Sequence, residues 1–268
     1  MKKQRLDQLV FDRGLTPSRE RAKTTIMAGL VLVNGQRVDK PGAAVDPGAE
    51  IRLKGEALPY VSRGGLKLEK ALKVFPVSPA GKRCLDCGAS TGGFTDVLLQ
   101  NGAKCVYAVD VGYGQLDWKL RSDARVTCLE RTNVRYLTAE QLPDTPELAV
   151  MDLSFISLEL VFPAVAALLP DGAPVVCLVK PQFEAGREKV GKKGVVRDRA
   201  VHLEVLERFL AFAPKFGLVP QGLDYSPIKG PEGNIEYLGW LQKGGEARAL
   251  DPAAVVEASH AAEEGGRL

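Results

Sequence analysis

The chain has 268 residues, 45% of them hydrophobic and 26% charged, with a formal net charge of +3, a balance that fits one large or two smaller globular domains. No apolar stretch reaches the roughly 20 residues needed to cross a bilayer as a helix. The first twelve residues carry charges from the start and lack an apolar run ending in a cleavage site, so no secretory signal is expected, and the five cysteines are expected to stay reduced in the cytoplasm.

Taken in chain order, Arg5 to Arg13 reads as a short amphipathic helix with Leu6, Leu9 and Val10 on one side. Thr16-Pro17 reads as a helix start, a hydroxyl cap followed by proline, with the helix running to Gly29. Val31 to Val33, Asn34-Gly35 and Gln36 to Val38 form a hairpin signal, because Asn-Gly suits a type I′ turn. Glu50 to Leu53 supplies a further strand. Residues 1–57 thus read as a small α+β domain, 58–61 as a connection, 62–244 as a larger domain and 245–268 as a flexible tail. In the larger domain Ser62 precedes a helix carrying Leu66, Leu68, Ala71 and Leu72. Strands are expected at Arg83–Asp86, Cys105–Val109, Val126–Leu129, Leu148–Met151, Pro174–Val179, Leu218–Asp224 and Tyr237–Leu241. Helices are expected most clearly at Phe94–Asn101, Leu158–Leu169 and Val201–Phe216. That alternation implies an α/β fold, a parallel sheet with helices on both faces and an antiparallel hairpin at one edge.

Charge is uneven. Residues 1–56 hold 11 Lys/Arg against 7 Asp/Glu, and residues 180–199 hold 7 against 3. These are the two places where a polyanion would be drawn, although plain solvated surface is the alternative. Gly186 to Arg199 reads as a mobile basic loop that could clamp RNA, through Lys189, Lys192 and Lys193.

Asp86-Cys87-Gly88-Ala89-Ser90-Thr91-Gly92-Gly93-Phe94 follows a strand and opens a helix, where glycines let the backbone approach a ligand and the helix start offers free amides. The spacing is neither that of dinucleotide enzymes nor that of a P-loop. Asp110 ends the next strand about 20 residues on, where a carboxylate takes ribose hydroxyls. The pair suits a nucleoside cofactor with no pyrophosphate, such as S-adenosylmethionine, although the glycines could serve a tight turn alone. Val111, Asn133 and Asp152 would face the same crevice.

Asp152 leaves one buried strand and Lys180 leaves the next, after five apolar residues; Glu236 precedes the last strand and Lys67 lies on the helix before the sheet. Burial disfavours a charged amine while a neighbouring carboxylate favours it, and a lysine so placed serves as a general base once deprotonated. Each of the four has an ordinary reading alone, as a surface lysine, a strand-entry charge or a helix cap. Together they could activate a ribose hydroxyl without a metal: Lys180 as base, Asp152 and Glu236 orienting the lysines, Lys67 steering the ribose. Cys84-Leu85-Asp86-Cys87 lies across a strand end, so buried thiols are expected rather than a metal or redox site. His202 reads as structural.

The runs Arg5-Leu6-Asp7-Gln8-Leu9, Ser18-Arg19-Glu20-Arg21-Ala22 and Ala28 to Gly35 resemble the S4 RNA-binding domain. Ser62 to Leu68, Asp86 to Asp96, Asp152 to Leu158, Lys180-Pro181-Gln182-Phe183-Glu184 and Gly233-Asn234-Ile235-Glu236-Tyr237 resemble the TlyA, or haemolysin A-like, family, related to the FtsJ type. The match spans nearly the whole chain; Cys87 departs from the small apolar residue expected there. The resemblance implies a Rossmann-like class I methyltransferase behind an S4-like domain, using S-adenosylmethionine to methylate the 2′-oxygen of cytidine in ribosomal RNA. It implies a catalytic tetrad of Lys67, Asp152, Lys180 and Glu236, and RNA contacts at Arg5, Arg19, Arg21, Lys23 and Arg63. Ribosomal subunits would be the partner, with neither membrane nor metal. The alternatives are a non-catalytic RNA- or nucleoside-binding protein and a membrane-lytic haemolysin.

Overall fold

The computed structural model describes residues 3–54, 59–266 and 268. By internal contacts the chain divides between Gly65 and Leu66 into two units.

In the first unit, strand β1 (Gln4–Arg5) leads into helix α1 (Leu6–Asp12), which buries Leu6, Leu9 and Val10 along one side. Helix α2 (Arg19–Met27) is capped by Ser18 and not, as the sequence suggests, by Thr16: Ser18 is extended, and its hydroxyl accepts from the Arg21 amide at 3.1 Å. Thr16 instead donates its hydroxyl to the Ser18 carbonyl at 3.1 Å, which puts Pro17 ahead of the cap. Asn34 and Gly35 take φ of 50° and 78°, the left-handed pair that a type I′ turn requires. They join β2 (Val31–Val33) to β3 (Gln36–Arg37). Strand β4 (Ala44–Val45) pairs with β1, and β5 (Ile51–Leu53) pairs with β2, both antiparallel. Leu6, Leu9, Val10, Ala22, Ile26, Val31, Val45 and Ile51 form the core. Of the expected connection 58–61, Leu58 lies outside the described residues. Tyr60 and Val61 are buried, and the Tyr60 carbonyl accepts from the Arg21 guanidinium, which explains why the division falls later, after Gly65.

The second unit opens one residue into helix α3 (Gly65–Val74). It continues as β6 (Arg83–Cys87), α4 (Gly93–Gln100), β7 (Cys105–Val109), a short α5 (Trp118–Arg121), β8 (Val126–Leu129) and β9 (Leu148–Met151). Then come α6 (Phe162–Leu168), β10 (Pro174–Val179), α7 (Pro181–Glu184), α8 (Arg199–Phe212), β11 (Leu218–Tyr225), β12 (Tyr237–Lys243) and α9 (Pro252–Glu264). The seven strands form one sheet in the order β11-β12-β10-β9-β6-β7-β8. Strands β6 to β10 run parallel, while β12 is antiparallel to both neighbours, having inserted between β10 and β11. The central strands are apolar on both sides because helices cover both faces; Leu148 to Met151 are all fully buried. Strand order reverses between β6 and β9, and in open α/β sheets ligands bind at the carboxyl ends of the strands at such a point. There the Asp152 amide donates to the Cys87 carbonyl at 3.1 Å.

Two expected helices differ in detail. The stretch from Leu158 to Leu169 is a 3₁₀ turn (Leu158–Leu160) followed by α6, because Pro163 fits only a first helical turn. Helix α8 ends at Phe212, before Pro214, and gives way to a 3₁₀ turn (Ala213–Phe216). Residues 252–264, within the expected flexible tail, form α9, capped by Asp251 and burying Val256, Ser259, His260 and Ala262. This helix is held by the His260 ring on His202 at 3.1 Å and by Lys229 on Glu263 at 2.5 Å.

Candidate active site

Gly88, at the end of β6, has φ of 86°, and a Cβ there would lie 2.6 Å from the Asp152 carbonyl oxygen. Only glycine lets the turn approach β9 this closely. The turn then rises through Ser90, at φ of 49°. Asp110, at the end of β7, accepts from the Ser90 amide at 2.8 Å and from the Gly112 amide at 2.7 Å, which fixes its carboxylate over the turn while leaving lone pairs for a ligand. Beside it is a cavity of about 520 Å³. Of the expected cofactor contacts, Gly88, Ser90, Asp110, Val111, Asn133 and Asp152 line it. Ala89, Thr91, Gly92, Gly93 and Phe94 do not: Ala89 and Phe94 are buried, a Cβ on Gly92 would strike the Leu120 side chain, and Gly93 begins α4. Ser154 and Phe155, which lie in the run from Asp152 to Leu158, also line the cavity, as do Gln115 and Thr132, which carry no motif by which the sequence alone reveals them. Among the described residues the lining includes two carboxylates, Asp110 and Asp152, and no lysine or arginine. That charge suits a cationic nucleoside and disfavours a pyrophosphate.

At the Asp152 end of the cavity the four ionisable residues converge. Lys67 Nζ lies 2.6 Å from Glu236 Oε2 and 3.4 Å from Asp152 Oδ2, and Lys180 Nζ lies 2.5 Å from Asp152 Oδ1. Lys180 also donates to the Ser154 hydroxyl at 3.2 Å. Charges thus alternate along a chain Lys180, Asp152, Lys67, Glu236. Each arrives on its own element: Lys67 from the first turn of α3, Asp152 from the end of β9, Lys180 from the end of β10, and Glu236 from the residue before β12. The register of Val179 opposite Tyr237 is what sets Lys180 beside Glu236. Burial disfavours the charge on Lys67, yet Asp152 and Glu236 more than reverse this and hold its pKa above the ordinary value. Burial likewise pushes Asp152 up, but Lys67 and Lys180 hold it below the ordinary carboxylate value. Gly230 makes room for Glu236, since a Cβ there would lie 2.6 Å from Glu236 Oε1. Gln182, from α7, donates to the same oxygen at 3.4 Å. Glu184 accepts from the Ser157 hydroxyl at 2.7 Å and the Leu158 amide at 2.8 Å, which ties the loop after Asp152 to α7.

The thiols of Cys84 and Cys87 are buried, and burial lifts Cys84 to about 12. Among the described residues no group of three or more His, Cys, Asp or Glu is arranged to hold a metal ion. His202 is buried, between the Tyr237 hydroxyl at 2.8 Å and the Val196 carbonyl at 3.1 Å, and burial lowers it to about 4. Of the expected RNA contacts, Arg5 and Arg19 share Asp7 at 2.9 and 3.1 Å, and Lys23 pairs with Glu20 at 2.6 Å. Arg63 is half-buried; Lys189 is matched by Glu204, while Lys192 and Lys193 are exposed. The basic loop is anchored at its far end, where the Val196 amide donates to Asn234 Oδ1 at 3.0 Å.

A seven-stranded sheet with a glycine turn at its switch point, an acid ending the second strand, and an antiparallel strand inserted beside the fifth defines a Rossmann-like class I methyltransferase fold. The chain belongs to the FtsJ-like methyltransferase family, whose model matches residues 60–243, and it carries an S4 domain matched over residues 4–51. It is 54% identical over 266 residues to YqxC of Bacillus subtilis, assigned by inference as an rRNA methyltransferase, covering 97% of this chain and 95% of that protein. It is 46% identical over 259 residues, 96% of each chain, to the 16S/23S rRNA (cytidine-2′-O)-methyltransferase TlyA of Mycobacterium tuberculosis. A solved structure from Streptococcus thermophilus, provisionally titled a hemolysin, superposes with a TM-score of 0.80 at 51% identity, covering 99% of this chain and 98% of that one.

Proposed function

We propose that the protein methylates the 2′-oxygen of a cytidine ribose in ribosomal RNA, using S-adenosylmethionine, in the cytoplasm where ribosomal subunits are found. The observation that carries this reading is the meeting of Lys67, Asp152, Lys180 and Glu236 at one end of an acid-lined nucleoside cavity. When bound, S-adenosylmethionine supplies an electrophilic methyl group on a sulfonium that leaves as a neutral thioether. Gly88, Ser90, Asp110 and Asn133 would hold its nucleoside, and Asp110 and Asp152 match its positive charge. Lys180 Nζ, as the free amine left once its ammonium proton has passed to water, takes the proton from the ribose hydroxyl as the new O–C bond forms. Asp152 holds that amine from one side and Ser154 from another, and Lys67 places positive charge where the oxygen becomes anionic. Glu236 balances Lys67, so that buried pair carries no net charge and tolerates burial. Arg5, Arg19, Arg21, Lys23 and Arg63, with Lys189, Lys192 and Lys193, supply the phosphate contacts. The relatives' rRNA activity and the S4 domain support the substrate class. Neither a non-catalytic binding role nor membrane lysis is favoured: the first leaves the four-residue cluster without a use, and among the described residues no helix is long and apolar enough to cross a membrane.

The test is transfer of an isotope-labelled methyl group from S-adenosylmethionine to unmodified ribosomal subunits, followed by mapping of 2′-O-methylation in both rRNAs. Lys180→Ala is expected to abolish transfer while leaving cofactor affinity, measured by calorimetry, nearly unchanged. Transfer at the wild-type rate by that variant removes Lys180 as the base.

A further inference from the structure

A second cavity, of about 720 Å³, shares Phe155 and Ile156 with the cofactor cavity and is lined on its other side by Gln182 and Phe183. Phe155 is 91% exposed at φ of 64°, in the left-handed region that β-carbon residues rarely adopt, and its ring lies 5.1 Å from that of Phe183. Large apolar rings left open beside a charged cluster suit a planar ligand with two apolar faces, and an unstacked nucleobase is such a ligand.

Gln182 brings an amide to this cavity, whose lining also includes Ser157, Arg135 and Arg187. Its Nε2 donates to Glu236 Oε1 at 3.4 Å, and because a carboxylate only accepts, that contact fixes which end of the amide carries the hydrogens. The other end, Oε1, is buried and has no hydrogen-bond partner among the described residues. Buried acceptors are ordinarily satisfied, and leaving one unmet is costly. A group that supplies an N–H there is therefore favoured. Cytosine offers its exocyclic amine, whereas uracil presents a carbonyl at the same ring position and would face the amide oxygen with another acceptor.

We propose that Gln182 is the specificity-determining residue for the target base: its Oε1 accepts from the exocyclic amine of cytosine, while its Nε2 ties that recognition to Glu236. The inference rests on the RNA 2′-O-methyltransferase reading above. It makes one amide responsible both for choosing the base and for holding a member of the charged cluster.

The experiment uses the full chain and ribosomal subunits reconstituted with rRNA that carries, at the mapped nucleotide, cytidine, uridine or a pyrimidine nucleoside with hydrogen in place of the amine. Initial rates and equilibrium competition are both read, so that a slow variant still reports. The wild type is expected to favour cytidine over each replacement by at least about tenfold, the scale of one buried hydrogen bond lost. Gln182→Met, which keeps length and loses the amide, is expected to bring the cytidine-to-hydrogen-analogue ratio close to one with cofactor affinity retained. Equal wild-type use of cytidine and the amine-less analogue overturns the proposal, even if the variant does not fold. A variant that binds cofactor and discriminates as the wild type does overturns it as well. Failure of the wild type to methylate any RNA overturns the methyltransferase reading itself, an outcome distinct from equal use of the three bases.

Discussion

Replacing Lys67 with methionine tests whether the four charges form one coupled unit. Lys67 is 6% exposed and Glu236 1%, and they meet at 2.6 Å. Methionine fills similar space without the charge, leaving, among the described residues, Glu236 with the 3.4 Å contact from Gln182 and Asp152 with Lys180 as side-chain partners. Removing one partner of a buried ion pair costs about 3–5 kcal/mol, whereas replacing both by apolar groups is often nearly neutral. For a domain of this size about 1 kcal/mol moves Tm by 2–4 °C, so Lys67→Met should lower the melting temperature of the methyltransferase domain by roughly 6–20 °C at pH 7. Adding Glu236→Leu should recover most of that loss, although both variants should be inactive. The pH window follows from the two shifts. The raised Lys67 contributes fully below its ordinary value of 10.5 and is lost as pH rises through its folded value. The lowered Asp152 contributes above its ordinary 3.8 and is lost as pH falls through its folded value. Scanning calorimetry across this range is the assay. A single variant that melts within 2 °C of wild type, or a double variant no more stable than the single, refutes the coupling, the threshold being the smallest shift expected of about 1 kcal/mol.

Gly230→Ala forces a methyl group to within 2.6 Å of Glu236 Oε1; kcat is expected to fall at least about tenfold, the equivalent of 1.4 kcal/mol, with cofactor affinity unchanged, and wild-type turnover would show that Glu236 need not stay in place. Arg19→Ala with Arg21→Ala should weaken RNA binding and flatten the dependence of affinity on salt by about one phosphate contact per arginine lost, and an unchanged slope in titrations at several ionic strengths would remove the S4 domain as the docking surface. His202, depressed to about 4 from 6.5, contributes stability that is present above pH 6.5 and is lost as pH falls toward 4. Urea unfolding should therefore lose about 1.4 kcal/mol per pH unit across that interval, a slope reduced in His202→Gln; identical slopes in the two proteins would count against it.

Most of the sheet is legible in the sequence because its central strands are buried on both faces, so each reads as an apolar run stopped by one polar residue, such as Asp152 after Met151 or Lys180 after Val179. Those stops are also the proposed site positions, which is why the fold and the four-residue cluster are read from the same residues. What escapes is set by local competition or by partners far away in sequence. Thr16 and Ser18 flank Pro17 with equally good hydroxyls, and only the extended backbone at Ser18 chooses between them. Helix α9 carries mostly alanine where a core helix has larger apolar side chains, so it does not stand out, and it is held by His202 on α8 and Lys229 before β12. Ser154 and Gln182 lie within the family-like runs, but as single polar residues in a loop and a first turn they show no role by themselves; their contacts appear only once Lys180 and Glu236 are beside them.

The insertion of β12 between β10 and β11 decides when the enzyme becomes whole. Lys67 and Glu236, in direct contact, are 169 positions apart in sequence. A ribosome making this chain finishes the cofactor turn early, but the charge cluster must wait until the returning strand threads into its slot. A copy that stops before Glu236 would therefore hold the glycine turn and Asp110 while leaving Lys67 without its 2.6 Å partner.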